Sequence, residues 1–367
     1  MNKGLEALEK NVLAKGLCAA CGACVSLCPY LSSWQGRIVK LDNCDLDQGR
    51  CFAYCPRTEV DPEEILRKFF GDDYHDIHIG PVRRIIMARA RDPIWAQKVQ
   101  NGGVVSALTD FAIGKGIIQA AVLTGREEDL LPRGCIATSR EDILACAGSG
   151  YASGPTLEAL NRGPWQGDES IGVVGLPCQV LALARMRTSS LEMRTPINRV
   201  DLVIGLFCTW AFDHEAFMAF LGKRFGDRPI GKLDITPPPE RLLKVTAGHE
   251  LYDIPLDDVR SLIRTSCQVC FDMTSEFSDI SVGTVEGKEG WNTVLARTTK
   301  GDELISRAEE SGIVETLAFP EDKLAHLKEA SLLKKRRALD ALKERGELED
   351  GYLMLSAELI QRILQSS

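Results

Sequence analysis

The chain is 367 residues long with a formal charge of −8, and its 44% hydrophobic and 26% charged shares are those of an ordinary globular protein with room for two or three domains. The acidic balance argues against a nucleic-acid partner, which would need a concentrated basic face, and the short apolar runs predict no membrane span. Residues 1–10 are polar and charged without an apolar core, so they do not read as a secretory leader, and the expected location is cytoplasmic.

In chain order, residues 1–15 predict a short helix leading into a loop-rich stretch, 16–57, that holds seven of the thirteen cysteines. In a reducing compartment such a cysteine count points to metal rather than disulfides. A helix is expected from Asp61 to Phe70, followed by the polar stretch 71–80. From Arg83 the texture changes. Strands are expected at Ile85-Ile86-Met87-Ala88, Ala120-Ala121-Val122-Leu123, Ile171-Gly172-Val173-Val174 and Leu202-Val203-Ile204, and an apolar helix follows Asn101-Gly102-Gly103 as far as Ile113. Strands alternating with helices predict an α/β domain. Pro237-Pro238-Pro239 marks a turn or excursion, and late strands fall at Ile280-Ser281-Val282 and Thr293-Val294-Leu295-Ala296. Beyond Pro320 the chain is helical and charged. The basic run Lys334-Lys335-Arg336-Arg337 and the acidic residues 347–350 read as solvated helix faces, the alternative being a docking surface.

Cys18-x2-Cys21-x2-Cys24-x3-Cys28-Pro29 is the spacing that wraps three thiolates round one cubane iron–sulfur cluster while the cysteine before proline serves a second. Cys44-x6-Cys51-x3-Cys55-Pro56 repeats the ending of that motif. In the duplicated scheme Cys18, Cys21, Cys24 and Cys55 hold the first cluster, and Cys28, Cys44 and Cys51 the second. The second set lacks one thiolate. Asp47, three residues after Cys44, is the candidate fourth ligand, and an open three-iron cluster is the other outcome. Zinc is the competing metal, but it favours two paired C-x2-C elements or added histidines, and no histidine precedes His75. Residues 1–60 are therefore expected to form a small ferredoxin-like iron–sulfur domain.

Four more cysteines share a pattern. Gly175-Leu176-Pro177-Cys178 and Gly205-Leu206-Phe207-Cys208 each end a short apolar run, and Cys267-x2-Cys270 is a close pair flanked by Arg264 and Asp272. Strand ends in α/β folds project into a common crevice, so these four are expected to converge on a third cluster. An isolated cysteine is more often a small buried hydrophobe, and Cys135 and Cys146 are read in that structural way.

Asn101-Gly102-Gly103-Val-Val-Ser106, Gly148-Ser149-Gly150-Tyr151, Gly-Leu-Pro-Cys178-Gln179, Gly-Leu-Phe-Cys208, Cys267-x2-Cys270 with Ser278-Asp279-Ile280, and Glu289-Gly290-Trp291-Asn292-Thr293 with Arg297 together resemble the family of coenzyme F420 hydrogenase/dehydrogenase beta subunits. The resemblance spans about residues 15–315. It implies an iron–sulfur flavoprotein in which FAD sits beside a four-iron cluster and exchanges hydride with the deazaflavin F420. It implies that Cys178, Cys208, Cys267 and Cys270 hold that cluster, that two or three [4Fe-4S] clusters are present in all, and that Asn101, Gly102, Gly103, Ser106, Ser149, Gly150 and Tyr151 contact the flavin. The residue chemistry agrees: bare glycines permit close backbone approach, a helix start offers free N–H groups to a pyrophosphate, and Ser106 adds a hydroxyl. Lys288 and Arg297 are candidates for an anionic tail of F420.

The implied fold is an α/β (α+β) flavin-binding domain behind the ferredoxin-like domain, divided as 1–60, a linker 61–82, the F420/FAD-binding iron–sulfur domain 83–318 and a helical tail 319–367. The implied partner is the catalytic large subunit of a hydrogenase or formate dehydrogenase, or else a heterodisulfide-reductase-like or ferredoxin partner. Two other readings stay open: an electron-relay flavin subunit using NAD(P)H or only ferredoxin, and a free-standing ferredoxin-dependent reductase of an organic substrate. No Gly-x-Gly-x-x-Gly loop supports NAD(P)H. No general acid or base is assigned, since His75, His78 and His326 lie in the polar linker or the charged tail.

Overall fold

The computed structural model describes residues 3–71, 76–99, 101–126, 130–191, 195–236 and 240–366; Pro237-Pro238-Pro239, His75 and part of the stretch 71–80 lie outside them. In the cysteine-rich region β1 (Leu31–Trp34) and β2 (Arg37–Lys40) form a hairpin. A large sheet follows, built from β3 (Arg84–Ala90), β4 (Ala120–Arg126), β5 (Pro132–Ala137), β6 (Ile171–Gly175) and β7 (Val200–Leu206). A small antiparallel sheet of β8 (Ile230–Ile235), β9 (Leu242–Ala247) and β10 (Glu250–Pro255) interrupts it. The large sheet is then completed by β11 (Ile280–Thr284), β12 (Asn292–Ala296) and β13 (Val314–Ala318).

The order is β13-β3-β12-β11-β7-β6-β4-β5. Its centre, β4-β6-β7-β11, is parallel, and the strands outside it pair antiparallel. Because β3 runs against β12 and β12 against β11, the carboxyl ends of β3, β4, β6, β7 and β11 share one edge. That edge is where an open α/β sheet binds its ligands.

Parallel strands covered on both faces are apolar throughout, and β6 and β12 are buried along their whole length. Alternation sorts the side chains. Val122, Val173 and Val203 join one hydrophobic cluster, which also contains residues of the amino-terminal cysteine region, the helix Pro177–Thr188 and the carboxyl-terminal helices. Leu123, Val174, Leu202 and Ile204 join the other, beneath the helices Val104–Gly114 and Thr299–Glu310. Helix starts follow their local sequence: Asp61 accepts the Glu64 N–H at 2.8 Å, Asp213 that of Ala216 and Thr298 that of Gly301, each satisfying a donor that the helix itself leaves free. Among the described residues no helix is long and apolar enough to cross a membrane.

The carboxyl-terminal helix Glu321–Glu344 corrects one expectation. Half of the basic run is not a solvated face: Lys334 and Lys335 are 3% and 0% exposed. Lys334 Nζ donates to the Cys208 carbonyl, Lys335 Nζ pairs with Glu276, Arg336 Nε donates to the Ile363 carbonyl and Arg337 Nη2 to that of Thr209. Lys334 and Lys335 thus find acceptors supplied by distant segments, while Arg337 stays exposed.

Candidate functional site

The first cysteine loop turns tightly through left-handed backbone at Ala20, Gly22 and Ser26. At Gly22 (φ +86) a Cβ would lie 2.6 Å from Glu158 N, so only glycine suits the position. The loop is held by the α/β layer rather than by its own core. Ser153 Oγ donates to the Ala19 carbonyl at 2.7 Å, the Leu157 N–H to that of Cys21 at 3.0 Å, and Arg264 Nη2 to that of Cys18 at 3.2 Å. Asn161 Nδ2 lies 3.3, 3.1 and 2.8 Å from the carbonyls of Gly22, Ala23 and Val25.

The structure brings Cys18, Cys21, Cys24 and Cys55 together. Burial, with repulsion from Cys55, Cys178 and Cys18, pushes the Cys21 thiol well up, and burial with the other three of its set does the same to Cys24. Burial takes Cys55 up to about 12. Cys28, Cys44 and Cys51 form a second gathering, and burial with the Cys28 and Cys44 charges pushes Cys51 up to about 11. The Asp47 side chain is exposed, while its carbonyl accepts the Lys3 N–H at 2.7 Å. The largest charges acting on Cys51 are those of Cys28 and Cys44.

The third set assembles at the shared sheet edge. Cys178 stands in the first turn of Pro177–Thr188, directly after β6; Cys208 follows β7; Cys267 and Cys270 lie on and beside the short helix Thr265–Gln268. All four line one small pocket together with Arg57, Arg264, Trp210 and Lys334. A neighbouring pocket is walled by Arg57, Cys178, Cys270, Asp272 and Tyr352. Burial pushes Cys178 up to about 12 and Cys208 further still. Burial also opposes ionisation of Cys270, but Lys334 and Arg57 overcome it and hold that thiol below its ordinary value. The Nε–H groups of Arg57 and Arg264 are buried with no hydrogen-bond partner in the chain. Among the described residues no three Cys, His, Asp or Glu side chains converge closely enough for one metal ion; the thiols instead line a common space. Four thiols and three buried cations, two of them guanidinium groups with an unpartnered donor, fit an anionic thiolate-bound cluster.

The sets adjoin in series. The Cys24 thiol feels Cys51 of the second set, and the Cys21 thiol feels Cys178 of the third. Cys135 and Cys146 stand apart from all three, sulfur to sulfur between β5 and the following helix.

The two loops expected to meet a flavin lie near each other. Asn101, Gly102 and Gly103 precede Val104–Gly114, with Gly103 left-handed at its N-cap (φ 72) and Ser106 in its first turn. The glycines answer to packing within the chain: a Cβ on Gly102 would stand 2.8 Å from Asn292 Oδ1, and one on Gly103 2.9 Å from Trp95 Cβ. Asn292 Oδ1 also accepts the Val104 N–H at 3.3 Å, so one helix-start donor is already engaged. Ser149, Gly150 and Tyr151 form the second loop, and a Cβ added to Gly148 before it would stand 3.6 Å from the Lys98 carbonyl beside the first. Arg126, at the end of β4, lies under this loop and donates through Nη1 to the Ser149 carbonyl at 3.3 Å; burial holds its guanidinium below the usual value. The Tyr151 phenol accepts the Ile235 N–H of β8 at 2.9 Å.

Arg297 is a correction. It does not reach out to an F420 tail: it is 2% exposed and donates to the carbonyls of Ile79 and Pro81 at 2.8 Å, to Thr274 and to Ser281 Oγ. It follows β12 directly and turns into the core; Lys288 is exposed. The residues sequence reasoning missed are Arg57, Arg126, Asn161 and, as a buried cation of the site, Lys334; Arg264 stood in view beside Cys267. Among those missed, Arg57, set directly after Cys55-Pro56, carried a local signal.

Comparison with known proteins gives a consistent picture. A family described as coenzyme F420 hydrogenase/dehydrogenase, beta subunit N-term, matches residues 85–161, and its C-terminus counterpart matches residues 168–322. The coenzyme F420 hydrogenase subunit beta of Methanothermobacter thermautotrophicus is 29% identical, covering 74% of this chain and 97% of the relative. An F(420)H(2) dehydrogenase subunit of Methanosarcina mazei is 30% identical over 80% of this chain and 82% of its own length. The coenzyme F420-dependent sulfite reductase of Methanocaldococcus jannaschii is 29% identical over 82% of this chain and 47% of the relative. A chain in the solved F420-reducing [NiFe] hydrogenase complex from Methanosarcina barkeri superposes with a TM-score of 0.68 at 26% identity, covering 73% of this chain and 94% of that one.

Proposed function

The chain belongs to the family of coenzyme F420 hydrogenase/dehydrogenase beta subunits and is an oxidoreductase; from that premise we propose that it is an electron-input subunit passing electrons between coenzyme F420, FAD and a line of iron–sulfur clusters. The observation that supports this reading is the close succession of three thiol sets, with the charge of Cys51 felt at Cys24 and that of Cys178 at Cys21. In this reading Cys18, Cys21, Cys24 and Cys55 hold one [4Fe-4S] cluster, Cys28, Cys44 and Cys51 a second with one open corner, and Cys178, Cys208, Cys267 and Cys270 a third. Exposed Asp47 is the candidate ligand for that corner, and an open three-iron cluster is the other outcome.

Bound FAD would supply the exchange between a two-electron hydride carrier and one-electron clusters. The chain's part is placement. Asn101–Gly103 and Ser149–Tyr151 offer neighbouring loops at the carboxyl edge of the sheet, with Arg126 as a cation beneath one of them, and the third thiol set opens from the same edge. Thiols that burial keeps protonated must release their protons as iron binds, so assembly is favoured as pH rises. Residues 1–60 would then carry two clusters, 83–318 the flavin and third cluster, and 319–367 the covering tail. The partner would be a catalytic large subunit of a hydrogenase or formate dehydrogenase. A match to under half of the sulfite reductase relative suits an input module that serves different acceptors.

The test is anaerobic purification followed by iron, acid-labile sulfide and flavin analysis, then addition of reduced F420. The expected result is a brown, flavin-containing protein whose flavin bleaches with F420. Colourless, iron-free protein with zinc in its place would overturn the cluster reading, and flavin left oxidised would overturn F420 as the donor.

A further inference from the structure

Three cations stand against the third thiol set; Arg264 lies 4.0 Å from the Asp213 carboxylate, which leaves Lys334 and Arg57. Lys334 comes from the carboxyl-terminal helix and donates through Nζ to the Cys208 carbonyl at 2.6 Å. Arg57 comes from the other end of the chain and donates to the carbonyls of Pro56 at 2.9 Å and Ser266 at 3.4 Å. Both are 3% exposed, and among the described residues no carboxylate forms an ion pair with either. The acid that bears on Lys334, Asp272, is engaged by the N–H groups of Thr274 and Glu276, both at 2.9 Å. A buried charge without a counter-ion is costly, and the ionisable groups facing Lys334 are Cys270, Cys208 and Cys267 with Asp272, so its negative partner is the thiolate set and whatever that set binds.

The reach of each cation differs. Lys334 bears on Cys178, Cys208, Cys267 and Cys270. Arg57 bears on Cys178 and Cys270 but also on Cys18 and Cys55 of the first set. No cation is among the main charges on Cys51 of the second set, whose loop carries the exposed Asp42, Asp45 and Asp47. A thiolate-bound cluster gains a negative charge when reduced. Burial resists that charge, while a fixed cation in a poorly screened site favours it.

We propose that Lys334 is a potential-setting residue for the cluster held by Cys178, Cys208, Cys267 and Cys270, raising its reduction potential so that electrons settle there, with Arg57 as a second cation shared with the first cluster. The inference rests on the cluster reading above. It makes the carboxyl-terminal helix a part of the redox site.

The experiment is an EPR-monitored redox titration of the anaerobic full chain, comparing wild type with Lys334→Met, Lys334→Arg and Arg57→Gln. With iron content unchanged, Lys334→Met lowers the reduction equilibrium constant of one couple at least tenfold, which is 59 mV for a one-electron couple, and leaves the others in place. Lys334→Arg stays close to wild type. Arg57→Gln lowers two couples and spares the third. Lys334→Met with full iron and every couple unmoved overturns the inference, as does a uniform shift of all couples. If Lys334→Met sheds iron, Lys334→Arg decides: retained iron at the wild-type potential supports a role of charge, and lost iron shows a packing role and overturns it. The iron content of the wild type tests the cluster reading by itself, so the two failures are distinguishable.

Discussion

Lys334 and Lys335 are adjacent in sequence yet meet unlike partners. Lys335 pairs at 2.5 Å with Glu276, the two side chains 0% and 2% exposed, and its ammonium stands 4.2 Å from the Phe271 ring centroid. The Coulombic gain of such a pair largely offsets the cost of desolvating it, whereas removing one member strands the other charge. Lys335→Met should therefore cost about 3–5 kcal/mol of stability. Adding Glu276→Leu to that variant should restore part of the loss, because the stranded carboxylate is gone while buried Arg297, which Glu276 also supports, keeps its charge. Anaerobic denaturant unfolding measures both, and a single variant within about 1 kcal/mol of wild type would show that Glu276 sheds its charge at little cost. The effect should leave cluster potentials largely alone, which separates Lys335 from its neighbour.

At the scale of elements, the first cysteine loop and the helix Thr156–Arg162 form one unit. Asn161 spends its amide on three carbonyls of the loop, at Gly22, Ala23 and Val25. Asn161→Leu leaves buried carbonyls unsatisfied, at a cost of about 1–3 kcal/mol. The expected outcome is a first cluster that loses iron to a chelator roughly tenfold faster, at 1.4 kcal/mol per decade, while the iron of the third set leaves at the wild-type rate. Equal acceleration at all sets would mean the clamp holds the whole fold instead. This docking also explains what was legible in the sequence. Cysteine spacing acts over a few residues, so the grouping of Cys18, Cys21 and Cys24 can be read directly, and the crossing of Cys28 and Cys55 follows from the repeated Cys-Pro ending. The alternation of apolar runs likewise marks β3, β4, β6, β7, β11 and β12. Asn161, Arg57 and Lys334 act across 100 residues or more, where no local pattern exists, and a basic run on a charged helix looks the same whether it faces water or a buried acceptor. Gly102 and Gly103 were readable as essential glycines, but the atoms that crowd them, on Asn292 and Trp95, belong to other elements.

For the whole molecule, the two ends of the chain close over the site together. Val60 and Tyr352 share a backbone bond at 2.6 Å, and Met354 returns one to Val60 at 2.7 Å. Glu63 accepts from Ser356, and Lys15 pairs with Glu347 at 2.7 Å. Tyr352 walls the cavity beside Cys178 and Cys270, donates to the Val269 carbonyl at 2.5 Å and lies 5.1 Å under the Arg57 guanidinium. Access to the third set is therefore governed by local opening of this tail rather than by global unfolding. The Glu347 pair is a minor strut: burial opposes its ionisation, but Lys15 and Arg345 hold it below its usual value. That contribution is full above the ordinary carboxylate value of about 4 and is lost only as pH falls below it. Partly exposed pairs of this kind are worth at most about 1 kcal/mol, so Glu347→Gln at neutral pH should speed iron release no more than about fivefold. Tyr352→Ala removes a fully buried aromatic side chain, a change that costs about 3–5 kcal/mol where the site cannot collapse, and here the loss falls on the tail that must open. Iron release from the third set to an anaerobic chelator should then accelerate at least tenfold at pH 7, ahead of release from the first set. Release unchanged by Tyr352→Ala, or equally fast in Glu347→Gln, would show that the tail does not gate the site.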